Sequence, residues 1–111
     1  MIDNSKEYIL CAANWYKNFP LGKDDLPVGF PRPKNIHEGI VFCGQRHHNC
    51  LYQMVAITGK KQHEIGGDIQ GFLTSTNQFV TREEALKIAL KCGQIDKPEY
   101  SNEQLFSEDL Y

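Results

Sequence analysis

The sequence predicts an α+β fold in which two helices cover one face of a small antiparallel sheet. Three observations carry that prediction. Apolar runs of strand length are closed by glycine or by a tight polar turn, two longer segments repeat apolar residues at helical spacing, and the elements follow in the order strand, loop, strand, helix, hairpin, helix, tail. At ~100–200 residues per domain, residues 1–111 read as a single domain.

The run from Tyr8 to Tyr16 is apolar but fits neither the strand nor the helix period cleanly; its length and aromatic end favour a buried strand. Residues 17–38 hold Pro20, Pro27, Pro31 and Pro33 together with Gly22 and Gly29, a long Pro-rich loop with little regular structure open to it. Phe19, Leu21, Val28 and Phe30 fall in it, so it is expected to pack across a surface. Gly39 to Gly44 reads as a short buried strand. From Arg46 to about Ile57 a helix is predicted, because His47, Leu51, Met54 and Thr58 recur at helical spacing, Cys50 and Val55 widen the stripe, and Gly59 ends it.

After a polar link through Gly66 and Gly67, residues 69–75 and 78–80 are expected to pair as strands around Thr76-Asn77, where Asn tolerates the left-handed conformation of a tight turn. Thr81-Arg82-Glu83-Glu84 is a capping box, with Val80 and Ala85 placed as its hydrophobic staple. Ala85, Ile88, Ala89 and Cys92 form the core stripe of the helix that follows, and Gly93 stands where a helix stop belongs. Leu105 to Tyr111 ends on apolar residues, so the tail is expected to dock on the domain.

Twelve Lys and Arg against fourteen Asp and Glu give a net charge of −2, which argues against a binder of long nucleic acid. The balance is uneven along the chain. Residues 1–38 are neutral overall and residues 67–111 carry the acidic excess. Residues 39–66, with Arg46, Lys60 and Lys61 against Glu64, are locally positive and hold three of the four histidines. The first residues are polar and acidic, unlike a signal peptide, and the apolar stretches fall short of the ~18–20 residues of a membrane span. A cytoplasmic protein with no membrane partner is expected, and its four cysteines read as buried thiols.

Chemistry is expected at Gly44-Gln45-Arg46-His47-His48-Asn49-Cys50. A strand-to-helix junction there exposes the first-turn amides and the positive end of the helix dipole, which attract an anion; Gly44 permits close approach, and Arg46 offers two parallel hydrogen bonds to a phosphate. No Ser, Thr, Asp or Asn stands before the first turn to cap those amides. His47 lies on the core stripe, where packing is its ordinary role, and His48 shares a face with Tyr52. Near a helix N-terminus both are expected to be mostly neutral, as a general base or neutral donor requires. Trp15 and Tyr52 suit stacking on a base and Thr74 and Ser75 offer hydroxyls, although core packing and turn capping use the same residue types. Cys43, His47, His48 and Cys50 are suitable zinc ligands, but their spacing across a strand and a helix does not match a zinc site, so neither metal nor cofactor is expected.

Three blocks carry a resemblance: Gly44 to Cys50 with its Arg-His-His-x-Cys core, Gln70 to Ser75 continuing into Phe79 to Ala85, and the Leu105 to Tyr111 ending with Ser-Glu-Asp-Leu-Tyr. Together with Gly93-Gln94 they resemble a family of small uncharacterised proteins of tailed phages. Small phage proteins of this size are similar to those that sequester or cleave nucleotide immune signals such as cyclic dinucleotides, an analogy of context.

The leading expectation is therefore a phage counter-defence protein that binds and cleaves a small anionic nucleotide without metal. One of His47 and His48 takes a proton from a ribose hydroxyl or water, the other protonates the leaving oxygen, and Arg46 with the helix amides stabilises the charge. A sponge that sequesters the nucleotide unchanged, or a protein-interaction module using the Pro-rich loop, remain the competing readings. A 111-residue chain has limited room to enclose a dinucleotide, which makes a homodimer attractive.

Overall fold

A computed structural model describes residues 6–19, 32–59 and 68–111. Its elements are β1 (Ile9–Tyr16), β2 (Ile40–Gly44), α1 (His47–Thr58), β3 (Ile69–Thr74), β4 (Phe79–Thr81), α2 (Arg82–Lys91) and α3 (Ser107–Leu110). The four strands form one antiparallel sheet in the order β2-β1-β3-β4. This is the α+β class that the sequence predicts. Lys60, Lys61, His63, Gly66 and Gly67 lie outside the described residues.

Strand parity assigns the faces. Ala12 stands opposite Phe72, and Phe72 opposite Val80; with Ile9 they pack on Ala85, Leu86 and Ala89 of α2 and on Leu105. Tyr16 and Phe42, on the same face, pack with Phe19 against Cys50 and Met54 of α1. Both longer helices thus cover one side of the sheet. The other side carries Ala13, Trp15, Val41, Cys43, Leu73 and Phe79, and Ile36 closes over it. Of the Pro-rich stretch 17–38, Phe19 and Ile36 are therefore core residues on opposite faces, while residues 20–31 lie outside the described residues.

A bulge explains why the Tyr8–Tyr16 run follows no clean period. Ile9 pairs with Thr74 and Cys11 with Leu73, so Leu10 is the additional residue and points to solvent. One extra residue reverses parity, and Ile9 shares a face with Ala12. At the other end of the sheet, Asn35 covers the outer edge of β4: its Nδ2 donates to Phe79 O at 2.6 Å, and its Oδ1 accepts from Phe79 N at 2.8 Å. An edge closed this way offers no template to another strand. The β3–β4 turn runs over Ser75 to Gln78, and Asn77 adopts φ 62°, the left-handed geometry expected of it.

α2 begins as its sequence requires. Thr81 Oγ1 accepts from Glu84 N at 3.2 Å and Glu84 Oε1 accepts from Thr81 N at 3.0 Å, satisfying two end donors reciprocally. Replacing Thr81 by Ala is expected to cost about 1 kcal/mol, read as a lowered urea midpoint with an unchanged slope. An unchanged midpoint would show that the cap contributes nothing to stability. α1 ends at Gly59, φ 71°, whose N–H bonds Val55 O. The tail docks as expected and closes in the short α3, with Leu105 and Ser107 fully buried.

Candidate functional site

The junction between β2 and α1 is built by side chains from distant parts of the chain. Arg46 is the N-cap residue of α1 and gives no side-chain cap to the first turn; instead Asn49 Oδ1 accepts from Arg46 N at 3.0 Å. Gly44 lies where a Cβ would come within 3.1 Å of Asn49 Cβ and 3.5 Å of Cys50 Sγ, so its lack of a side chain lets α1 lie close on the strand. From the sheet, Asn14 Nδ2 donates to His47 O at 3.2 Å and fixes the first turn.

His47 is buried, and both of its ring nitrogens are engaged. Gly71 O can only accept, so Nε2 carries the proton that it receives at 2.8 Å, and Nδ1 accepts from Arg82 Nη2 at 3.2 Å. Phe72 meets the ring edge to face at 5.1 Å. Burial pushes the His47 imidazolium below its ordinary 6.5, the Gly71 carbonyl partly opposes this, and the charge of Arg82 adds to it. The sequence places the expected cause of a lowered pKa at the helix N-terminus, whereas burial is the largest cause in the fold. His48, one position on, is exposed and sets its ring edge-on to Tyr52 at 5.9 Å. The two histidines therefore face different surroundings.

Both arginines serve the tail. Arg46 Nη1 donates to Ser107 Oγ at 3.0 Å, Nη2 donates to the Tyr111 backbone oxygen, Glu108 lies at 3.8 Å, and the guanidinium covers the Tyr111 ring at 5.1 Å. Tyr111 Oη in turn donates to Gln45 O at 2.8 Å. Arg82 Nη1 donates to Leu105 O at 3.1 Å, and its Nη2 also reaches Gln70 Oε1 at 2.6 Å, with Phe106 stacked at 4.9 Å. A cation at the positive end of a helix is unfavourable by itself. Arg46 and Arg82 each occupy such a position, and the tail supplies the oxygens that offset it. Sequence reasoning reads Arg82 only as a member of the capping box; its charge at the first helical position is the signal that it has a tertiary partner.

The remaining predicted residues do not converge on this junction. Trp15 lies on the opposite face of the sheet, its Nε1 donating to Glu38 O at 2.9 Å and its ring against Phe79. Thr74 Oγ1 donates to Glu7 Oε2 at 2.6 Å and Ser75 Oγ accepts from Tyr8 N at 3.0 Å, where β1 begins. The hydroxyls of Thr74 and Thr76, both donating to Glu7, lower its carboxyl below the ordinary 4.5. Cys50 Sγ donates beneath α1 to Arg46 O at 3.5 Å, whereas Cys43 packs on the far face. A cleft of about 340 Å³ opens elsewhere, between the end of α2 and the tail, and is lined by Gly93, Gln94, Asp96, Lys97, Glu99 and Asp109. Among the described residues no helix is long and apolar enough to cross a membrane.

A protein-family model, described as Phage T4 y16D protein, matches residues 8–111. The chain belongs to this phage protein family. No curated protein and no solved structure matches it. The match takes in the junction, Gln70 to Ala85 and the tail, three segments distant in sequence that the Arg46, His47 and Arg82 contacts tie together.

Proposed function

We propose that this phage protein acts in counter-defence by binding a small anionic nucleotide of the cyclic dinucleotide class at the head of α1, and that it holds the nucleotide without cleaving it. One observation carries the reading: Arg46 heads a helix with no side-chain cap, and its guanidinium holds oxygen acceptors of the tail, the Ser107 hydroxyl, the Tyr111 carbonyl and, at 3.8 Å, the Glu108 carboxylate, an anion whose place a phosphate can take. The Arg46 side chain is a quarter exposed, so an anion binding there competes with the tail oxygens of Ser107, Glu108 and Tyr111 for the guanidinium. The exposed His48–Tyr52 pair gives a base a ring to stack on.

Sequestration is favoured over hydrolysis by His47. General acid–base cleavage needs two groups with a free nitrogen on opposite sides of one phosphate. Both nitrogens of His47 are spoken for, and His48 faces elsewhere.

The test is to titrate the protein with cyclic dinucleotides and ADP-ribose derivatives by thermal shift, heat-denature it and chromatograph the supernatant. The expected result is a raised Tm, about 2.7 kcal/mol of stabilisation at 100 times Kd, with the nucleotide recovered intact. Arg46→Ala should abolish the shift. No shift with any of these nucleotides would overturn the proposal, and recovery of a cleaved product would replace sequestration with catalysis.

A further inference from the structure

We infer that Cys11 and Cys43 are a redox-active thiol pair, which reacts with a small disulfide of the glutathione class and closes a reversible bond between β1 and β2. The sequence reads all four cysteines as buried thiols, but the fold divides them. Cys50 and Cys92 are fully buried, and their thiols donate to the backbone oxygens of Arg46 and Ala89. Cys11 and Cys43 are partly exposed, and Cys43 packs with Ala13 on the side of the sheet away from α1 and α2. Register brings the two together. Ala13 stands opposite Cys43, and Cys11 shares the face of Ala13 two residues earlier, so the cysteines are diagonal neighbours on adjacent antiparallel strands. Their side chains meet, the Cys43 thiol donating to the Cys11 sulfur.

Each cysteine has its own part in the exchange. The thiolate is the attacking species, and the hydrogen bond from Cys43, helped by the Gly44 backbone, brings the Cys11 thiol down to about 7 against the opposing effect of burial. The same contact, together with burial, pushes Cys43 up, so it stays protonated while Cys11 is charged. The Cys11 thiolate attacks one sulfur of the small disulfide. A bond forms between that sulfur and Cys11 Sγ, the original S–S bond breaks, and one small thiolate leaves and takes up the proton released by Cys11. With the charge on Cys11 gone, Cys43 loses its proton, attacks Cys11 Sγ and expels the second small thiolate, which takes that proton. The protein dithiol is thereby oxidised to one disulfide, and the small disulfide is reduced to two thiols. A recess of about 170 Å³ beside Cys43, walled by Pro33, Val41, Leu73 and Arg32, admits the small thiol and sets a cation near its carboxylates. Closure requires the backbone to move. Diagonal neighbours stand ~7–8 Å apart at Cα, whereas a disulfide spans ~5.5–6 Å. β2 is an edge strand, held by β1 alone among the described strands, so it is free to shift by that difference. A bond closed under such strain is readily reduced again, as reversibility requires.

The test is to incubate the reduced, folded chain with oxidised glutathione in the absence of air, block the remaining thiols with N-ethylmaleimide and map the peptides by mass spectrometry, with circular dichroism confirming that each variant is folded. Wild type should yield a Cys11–Cys43 cross-link that dithiothreitol removes. Cys43→Ser should stop at the mixed disulfide, with one glutathione on Cys11, and Cys11→Ser should leave Cys43 free to react with N-ethylmaleimide. A wild-type chain that forms no Cys11–Cys43 bond overturns the inference whatever the variants do. So does a cross-link that runs to Cys50 or Cys92 instead, or a folded Cys43→Ser chain that carries no glutathione on Cys11.

Discussion

Gly71→Ala is expected to cost about 3 kcal/mol or more, enough to leave a large fraction of a small domain unfolded. Gly71 lies inside β3 opposite Thr81, and a Cβ there would come within 2.1 Å of Val80 O and 2.8 Å of Phe79 Cζ. A flexible side chain could swing aside from such a contact. A backbone carbonyl in the neighbouring strand cannot, so β4 has to part from β3. The damage spreads because Val80 belongs to the core beneath α2, and the Gly71 carbonyl is the acceptor for His47. Urea denaturation followed by circular dichroism measures the effect. A variant with the wild-type midpoint would show that β3 and β4 can separate locally at no cost.

The hairpin and α2 are legible in the sequence because their determinants are local. Thr81 and Glu84 stand three residues apart, and Asn77 carries its conformational tolerance with it wherever it is placed. The strand order is not legible in that way. β1 occupies the middle of the sheet through pairings with Gly44 on one side and Phe72 on the other, and the bulge at Leu10 appears only once Thr74 and Leu73 are opposite it. The candidate site divides along the same line. Spacing with Leu51 and Met54 is sufficient to bury His47, but its partners Gly71 and Arg82 lie 24 and 35 residues away, beyond the reach of periodicity. Chemical suitability groups Trp15, Thr74 and Ser75 with Arg46, whereas strand parity and the contacts with Glu7 and Tyr8 distribute them elsewhere.

His47 carries the second large effect, and pH separates its contributions. His47→Ala should destabilise the protein by about 2–4 kcal/mol, because it opens a cavity beside Phe72, removes the ring's hydrogen bond to the Gly71 carbonyl and leaves one donor of Arg82 without a partner. Folding also holds the ring neutral. Burial sets the folded pKa below the ordinary 6.5, so between the two values the unfolded chain binds more protons than the native one, and stability must rise with pH across that window. In wild type the contribution is complete above about pH 6.5 and is lost as the pH falls toward the folded value, by about 1.4 kcal/mol for each unit of separation. Glu108 and Asp68 act in the opposite sense by favouring the charged ring. Glu7, lowered from 4.5, weakens the fold only in more acidic solution, so the two groups titrate in separate ranges. Urea midpoints measured from pH 7.5 to 5.5 should therefore decline for wild type, whereas a His47→Asn chain, less stable throughout, should vary less. A wild-type curve that is flat over this range would mean that His47 takes up a proton as readily in the fold as out of it, and the tie between Gly71 and Arg82 would not depend on a neutral ring.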